Sequence, residues 1–362
     1  MNYATGSSSD ESEAIRSWSI RAVALARRLT QGLAKALGTL VLTSLGLLLV
    51  TFLIGRVAPI DPVLKVVGDR ASVATYNAAR HEMGLDKSLP EQFVRYIDDV
   101  LHGDLGKSTS TGRPVLVDLV SYFPATLELA TLAIVIGVML GVPAGISAAQ
   151  RHNSWVDHTT RIVSLVGYSV PVFWLGLMGL LIFYAKLHWV AGPGRLDDEY
   201  LYTVPAWSNV MLIDTLRAGD FAAFRNALMH LALPVALLAF FSMAYIARMT
   251  RALTLEELSK EYVLTARTKG ARTVRVLWRH VLPNIAAPLV TVIALSYAVL
   301  LEGAVLTETV FSWQGIGLYM TNALFAADMS AVLGGTLLIG FSFVLLNALA
   351  DLFSAILDPR SR

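Results

Sequence analysis

Long apolar runs alternate with polar stretches along this chain, and the apolar runs outlast what the core of a soluble domain needs. About 20 mostly apolar residues are required to cross a bilayer as a helix. Six runs qualify, at about 33–54, 126–149, 162–184, 231–246, 286–306 and 331–352; the fourth reaches this length only with flanking residues. Lipid offers no partner to backbone N–H and C=O groups, so each run is predicted to be an α-helix. The pattern predicts an all-α, polytopic membrane protein with six transmembrane helices. Its expected divisions are an N-terminal extension over 1–32, a first transmembrane helix over 33–54, an outer loop over 55–125 and a core transmembrane domain over 126–362.

The polar stretches have structure of their own. A loop of about 70 residues is too long to be featureless. Ser72 to Met83 is predicted to be helical, with Gly84 ending it, and Pro90 to Leu101 is predicted to be an amphipathic helix with Phe93, Tyr96, Ile97 and Val100 near one face. Gly103, Gly106 and Thr111-Gly112 mark turns, as do Gly192-Pro193-Gly194 and Pro205 in the second outer loop, about 188–230.

Basic residues in short loops orient a membrane protein. Arg151 and Arg161 flank the link between spans two and three. The link between spans four and five holds Arg248, Arg251, Lys260, Arg267, Lys269, Arg272, Arg275 and Arg279, while the link over 311–330 has no Lys or Arg. Arg21, Arg27, Arg28 and Lys35 precede the first span, and Arg360 and Arg362 follow the last. Both termini are therefore expected in the cytoplasm. Arg27-Arg28 resembles a twin-arginine signal, but no small-residue cleavage site follows and the apolar run is too long for one, so no cleaved signal is expected. Residues 1 to about 14 are polar and expected to be disordered.

The segment Thr254 to Pro288 is the least ordinary part of the chain. Thr254 and Glu257 have capping-box spacing. Leu255, Leu258, Tyr262 and Ala266 follow at helical spacing. Arg267 and Lys269 suit a helix C-terminus and Gly270 a left-handed stop. The expected product is a short amphipathic helix from Thr254 to Gly270, a basic turn, and a second helix from about Thr273. On the residues alone this is either a docking surface for a cytoplasmic partner or a helix lying on anionic lipid.

Composition agrees with the pattern. Of 362 residues, 55% are hydrophobic and 15% charged, with mean hydropathy +0.59; soluble domains carry about 25% charged residues. With no cysteine there is no thiolate ligand or cysteine nucleophile, and a net charge of +2 gives no case for nucleic acid. Gly103 to Ser108 ends like a phosphate-binding loop, but the required first glycine is Leu101. His152 and His158, with Asp157, read as solvated loop residues rather than metal ligands. Glu302 and Glu308 lie near the fifth span, where an acid marks a pathway or an interhelix partner. Glu302, the deeper, is the better pore-lining candidate, and Glu308 is expected to lie near water at the outer end.

These residues resemble a known family. Gly270 with Leu282-Pro283, thirteen residues from glycine to proline, is similar to the cytoplasmic loop of binding-protein-dependent ABC importer permeases, in the dipeptide, oligopeptide and nickel branch. The general motif's Glu-Ala-Ala falls on Leu264-Thr265-Ala266 and lacks its glutamate; Thr265 to Gly270 instead resembles the Thr-Ala-Arg-x-Lys-Gly of the peptide branch, and Glu261 is only close by. Further similar stretches are Arg56 to Pro59 with Asp61-Pro62, Gly84 to Asp86, Gly103 to Gly106, Pro124 to Leu129, Ser169 to Phe173, Glu308 to Trp313 and Asp358 to Arg360. Gln314 for proline, Glu302 for a small residue and the extended N-terminus depart from the pattern.

The resemblance implies a type I ABC importer permease fold, the dipeptide-permease B-type subunit, with a coupling loop over 249–285 in a bacterial plasma (inner) membrane. It implies a second permease subunit, commonly a different chain, two ATP-binding subunits and an extracytoplasmic solute-binding protein. ATP and Mg belong to the ATPase partners; this chain is expected to hold no cofactor or metal and to catalyse nothing. Glu261, Tyr262, Thr265, Ala266, Arg267, Lys269, Gly270, Leu282 and Pro283 are the expected ATPase-coupling residues. Peptides are the expected solute, with nickel, glutathione or an oligosaccharide as alternatives. An ion-coupled secondary transporter or a membrane enzyme is the alternative of another class.

Overall fold

The computed structural model describes residues 37–56, 62–68, 70–200 and 202–357. The N-terminal arginines, the 1–14 segment, Val57 to Asp61 and Asp358 to Arg362 lie outside them. Among the described residues the fold is helical, with one isolated antiparallel bridge between Lys107 and Pro114. Five helices are long and apolar enough to cross a membrane, six when one sharply bent pair counts as one span.

Among the described residues every apolar run is helical, the third across a break, and most of the helices outreach the runs. Helix α1 covers Leu37–Arg56. In the long loop that follows, α2 covers Pro62–Val67, α3 Val73–Glu82 and α4 Leu89–Leu101. The second span is α5, Val115–Gln150. The third breaks into α6, Trp155–Ser169, and α7, Val172–Gly179 with a π-helical continuation Leu180–Lys186, bent by 97°. Pro171 explains the break: it has no N–H to donate, and it forces Val170 before it into an extended conformation (ψ 130°). Helix α8, Met211–Ala218, precedes the fourth span, α9, Phe221–Leu258. After α10, Glu261–Thr268, the fifth span is one rod from Thr273 to Val310, made of α11, Thr273–Val276, a π turn, Leu277–Val281, and α12, Leu282–Val310. Helices α13, Ile316–Phe325, and α14, Met329–Leu357, complete the chain.

The fourth span grows beyond its apolar run because the protein satisfies its polar end. Asp220 caps α9 by accepting from Ala223 N at 2.9 Å. His230 bonds Gly192 O at 3.0 Å and Asp197 at 3.1 Å. These partners replace water for an end that the hydrophobic window leaves out.

The centre of the fold is the α5–α9 pair. Gly137, Gly141 and Gly145 line one face of α5 at four-residue spacing, which lets backbones approach closely. A Cβ on Gly141 would lie 3.0 Å from Met243 O, and one on Gly145 2.6 Å from Ala247 O. Around this seam Leu129, Leu238, Ile246, Leu300 and Trp313 are buried together.

The long loop before α5 holds the two helices that its sequence predicts. Ser72 Oγ accepts from Thr75 N at 3.1 Å, and Gly84 takes φ +67° where α3 stops. Phe93 and Tyr96 of α4 meet Phe52 of α1 with ring centroids 5.3 and 5.8 Å apart, and Tyr96 OH bonds Thr51 Oγ1 at 3.1 Å. The loop that mimics a phosphate cradle is a brace: Ser108 Oγ donates to Asp328 at 2.6 Å and Ser110 N at 3.0 Å, fastening it to the start of α14. The same bonds lower the Asp328 pKa, although burial alone would raise it.

Candidate functional site

The basic segment is built from the last turns of α9, from α10 and from the start of the α11–α12 rod. The capping box expected at Thr254–Glu257 does not form. Thr254 is fully buried inside α9, which continues to Leu258 because Leu253 and Leu258 pack with Ile146 and Val263; tertiary burial overrides the local cap. The single helix expected over Thr254–Gly270 is therefore two, broken at Ser259-Lys260, where Lys260 turns extended (ψ 148°) to start α10.

Helix α10 stops as its sequence predicts. Ala271 N donates to Ala266 O at 3.1 Å and Gly270 N to Arg267 O at 2.9 Å, the bond pair of a Schellman motif. Gly270 sits at φ +81°, and no atom would meet a Cβ there within 4 Å. The constraint is torsional alone.

One face of α10 is buried against the rod. Val263, 1% exposed, contacts a cluster of Val276, Leu277, Val281 and Ile285, with Tyr262, Ala266 and Leu282 at its edge. Pro283 enters the rod without a break. Its ring crowds the carbonyl four residues back, at Arg279, and the widened π turn Leu277–Val281 accommodates this. Glu261 is exposed in the first turn of α10, and Thr265, Arg267 and Lys269 are exposed along it.

A buried carboxylate holds this unit to α9. Glu257 accepts from Tyr262 OH at 2.7 Å and Asn284 Nδ2 at 3.1 Å, and pairs with Lys260. One side chain thus ties α9, α10 and α12 together. Burial, and then the bond to Glu257, pushes the Tyr262 phenol up to about 12, so it stays a neutral donor at any ordinary pH. One turn and a half earlier, Arg251 forms a two-pronged pair with Asp157, Nη2 to Oδ2 at 2.8 Å, joining α9 to α6. Asn153 N adds a bond to Asp157 at 3.0 Å. Asp157 is fully buried rather than solvated; its partner lies 94 residues away, beyond any local pattern.

Outward, the segment presents Leu264, Val274 and Trp278, each more than three-fifths exposed, with Arg267, Lys269, Arg272, Arg275 and Arg279 around them. An apolar patch with a charged rim on a rigid base has the form of an interaction surface.

The two acids of the fifth span sit in different surroundings. Glu308 is fully buried, not wet. Thr126 Oγ1 donates to it at 2.6 Å and Leu318 N at 3.1 Å, while Ile316 N donates to Thr126 Oγ1 at 2.8 Å. Gly315 and Gly317 leave room for the carboxylate: a Cβ on Gly315 would sit 2.4 Å from it. Glu308 therefore joins α5, α12 and α13. Glu302 is exposed on a face of α12 shared with Val299, Leu306 and Gly303, and Gly303 has no neighbour within 4 Å.

Two further features escape a reading of the sequence. Glu128 is buried and accepts from Arg195 at 2.9 Å and from Met211 N and Leu212 N at 3.1 and 2.8 Å, setting α8 on the bundle. Helix α13 lies within the 311–330 link, and its 10 residues are too few to stand out as a span. The glycine spacing on α5 was readable, since small residues four apart mark close helix contacts.

Comparison with known proteins places the chain in a family. Residues 141–362 match the profile of the binding-protein-dependent transport system inner membrane component, and residues 29–130 match that of its N-terminal region. The chain belongs to this family of multi-pass inner-membrane transport permeases. It is 43% identical to the probable D,D-dipeptide transport system permease protein DdpB of Escherichia coli (strain K12), over 89% of this chain and 94% of that one. It is 40% identical to the di/tripeptide transport system permease protein DppB of Pseudomonas aeruginosa (strain UCBPP-PA14), over 91% and 98%. The inward-facing MetNI methionine ABC transporter aligns with a TM-score of 0.49 at 14% identity, over 64% of this chain and 93% of that one, a likeness too slight to bear on the fold.

Proposed function

We propose that this chain is a pore-forming permease subunit of an ATP-driven importer of dipeptides and short oligopeptides. A solute-binding protein delivers the peptide from outside, a second permease subunit completes the pore, and two ATP-binding subunits dock on the basic end. That end, with both termini, faces the cytoplasm, in keeping with its arginines. The names of the DdpB and DppB relatives support the peptide as solute.

The observation that carries the coupling role is the rigid mounting of α10. Its buried face, the Glu257 bonds and the Gly270 stop leave it little freedom to move apart from α9 and α12. A displacement imposed on Leu264, Val274 and Trp278 by an ATPase would pass to two spans at once. ATP binding and one permease conformation would then stabilise each other. Glu302, on an uncovered face of α12, is the pore-lining candidate this favours; Glu308, enclosed, takes the role of a structural tie.

Gly270→Pro tests the coupling, because proline fixes φ near −65° and cannot adopt +81°. In the reconstituted transporter the variant is expected to insert and assemble normally and to lose solute-stimulated ATP hydrolysis. Stimulation equal to wild type would remove the docking role from this segment.

A further inference from the structure

Two cavities meet beside the end of α1 that lies opposite the basic segment. One, of about 500 Å³, is apolar and lies between α1, α5 and α14, lined by Leu47, Leu48, Val120, Phe123, Leu338 and Phe341 among others. The other, of about 410 Å³, is polar and is walled by Arg56, Lys87 and Arg95 together with Glu91, Asp99 and Asp104. Leu105, Gly334 and Leu337 line both, so the two adjoin.

The polar cavity is furnished for a ligand with both charges. Among the described residues none of its three cations is in an ion pair. Arg95 donates to the Glu82 carbonyl at 3.4 Å and lies beside Gly84, and Arg56 lies over the Phe52 ring at 5.1 Å. Three cations face three carboxylates, so an anion alone would leave the carboxylates opposed to it.

The depth matches a membrane leaflet. Arg56 ends the apolar run of α1, at the level where cationic side chains reach toward headgroups. Ser44, at the far wall of the apolar cavity, lies twelve residues earlier. At about 1.5 Å per residue that is about 18 Å, close to the ~15 Å half-thickness of a hydrocarbon core.

We infer that the adjoining cavities hold one phospholipid with a zwitterionic, ethanolamine-type headgroup. Its phosphate meets Arg56, Lys87 and Arg95, its ammonium meets Glu91, Asp99 and Asp104, and an acyl chain fills the apolar cavity. Because α4 rests on α1 through Phe52, such a lipid joins the outer-loop helices to the bundle. A zwitterionic peptide would fit the polar half and leave the apolar half empty.

The test is native mass spectrometry of the full-length protein with its copurifying subunits, released from nanodiscs of equal phosphatidylethanolamine and phosphatidylglycerol content. Wild type is expected to retain one phosphatidylethanolamine in preference. The double variant Arg56→Gln with Arg95→Gln should lower retention roughly tenfold, the loss expected for about 1.4 kcal/mol of headgroup binding. Val120→Trp, which fills the apolar cavity from an exposed position, should do the same with the charges intact. Unchanged retention in both variants, or equal retention of the two lipids by wild type, would overturn the assignment. So would a cross-link from Val120→Cys to a second permease subunit, which would mean protein rather than lipid covers the cavity.

Discussion

Gly145→Ala is the sharpest test of the close α5–α9 seam. Helix propensity alone makes the change favourable, since alanine in a helix interior gains about 1 kcal/mol over glycine. The structure opposes it. The new Cβ would lie 2.6 Å from Ala247 O, 2.7 Å from Thr250 Cβ and 3.0 Å from Arg251 N. Two of these are backbone atoms, which no rotamer change can move. Ordinary contact begins at 3.4 Å, so α9 must retreat by 3.4 − 2.6 = 0.8 Å. Overpacking of this kind costs about 1–3 kcal/mol, for a net loss of up to about 2 kcal/mol. The retreat also pulls Arg251 from Asp157. Gly303→Ala is the control: with nothing within 4 Å, only the propensity gain remains. Thermal unfolding in mild detergent, followed by the fluorescence of the fully buried Trp313 among the tryptophans, reads both. Gly145→Ala should melt several degrees below wild type, at roughly 2–4 °C per kcal/mol. A variant that melts above wild type, as the Gly303→Ala control should, would refute the seam as a limit on packing.

Three further outcomes are expected. Glu257→Ala strands the Tyr262 hydroxyl and the Lys260 and Asn284 donors, and should cost about 1–3 kcal/mol while reducing solute-stimulated ATP hydrolysis in the assembled transporter; Glu257→Gln, which still accepts, should keep more of both. The Tyr262 phenol is bonded in its neutral form, so its contribution is whole below its ordinary value of 10.0 and fades as pH rises through about 12; an ultraviolet tyrosinate titration of wild type against Tyr262→Phe should place the missing transition there, and one near pH 10 would contradict the buried bond. If Glu302 lines the pore, Glu302→Gln should change peptide uptake and its pH dependence without changing the melting temperature; uptake equal to wild type across pH would return Glu302 to a lipid or partner face.

What could be read in the sequence and what could not divide along the range of the interactions. The apolar runs, the helix ended by Gly84, the half-buried face of α4 and the Gly270 stop depend on residues a few positions apart, and each is found among the described residues. The capping box at Thr254–Glu257 fails although its spacing is correct, because α9 buries Thr254 and turns Glu257 toward Tyr262 and Asn284. Glu308 looks wet from its place near the end of a span; its partner Thr126 is 182 residues away. Asp157 looks solvated for the same reason, with Arg251 far along the chain. Local pattern sets where helices form, and long-range polar contacts decide which acids they hide.

The empty surroundings of Gly270 make that position indifferent to size and sensitive only to handedness. L-alanine there should cost about 1–2 kcal/mol for its left-handed backbone, whereas D-alanine, introduced by chemical ligation, should fit at no steric cost and stiffen the unfolded chain. Among encoded residues asparagine comes nearest to glycine's tolerance of this conformation. Any preference for glycine at this turn therefore comes from the backbone alone, since no neighbouring atom forbids a side chain and Ser312 and Ala327 of the same chain sit at φ +48° and +54°.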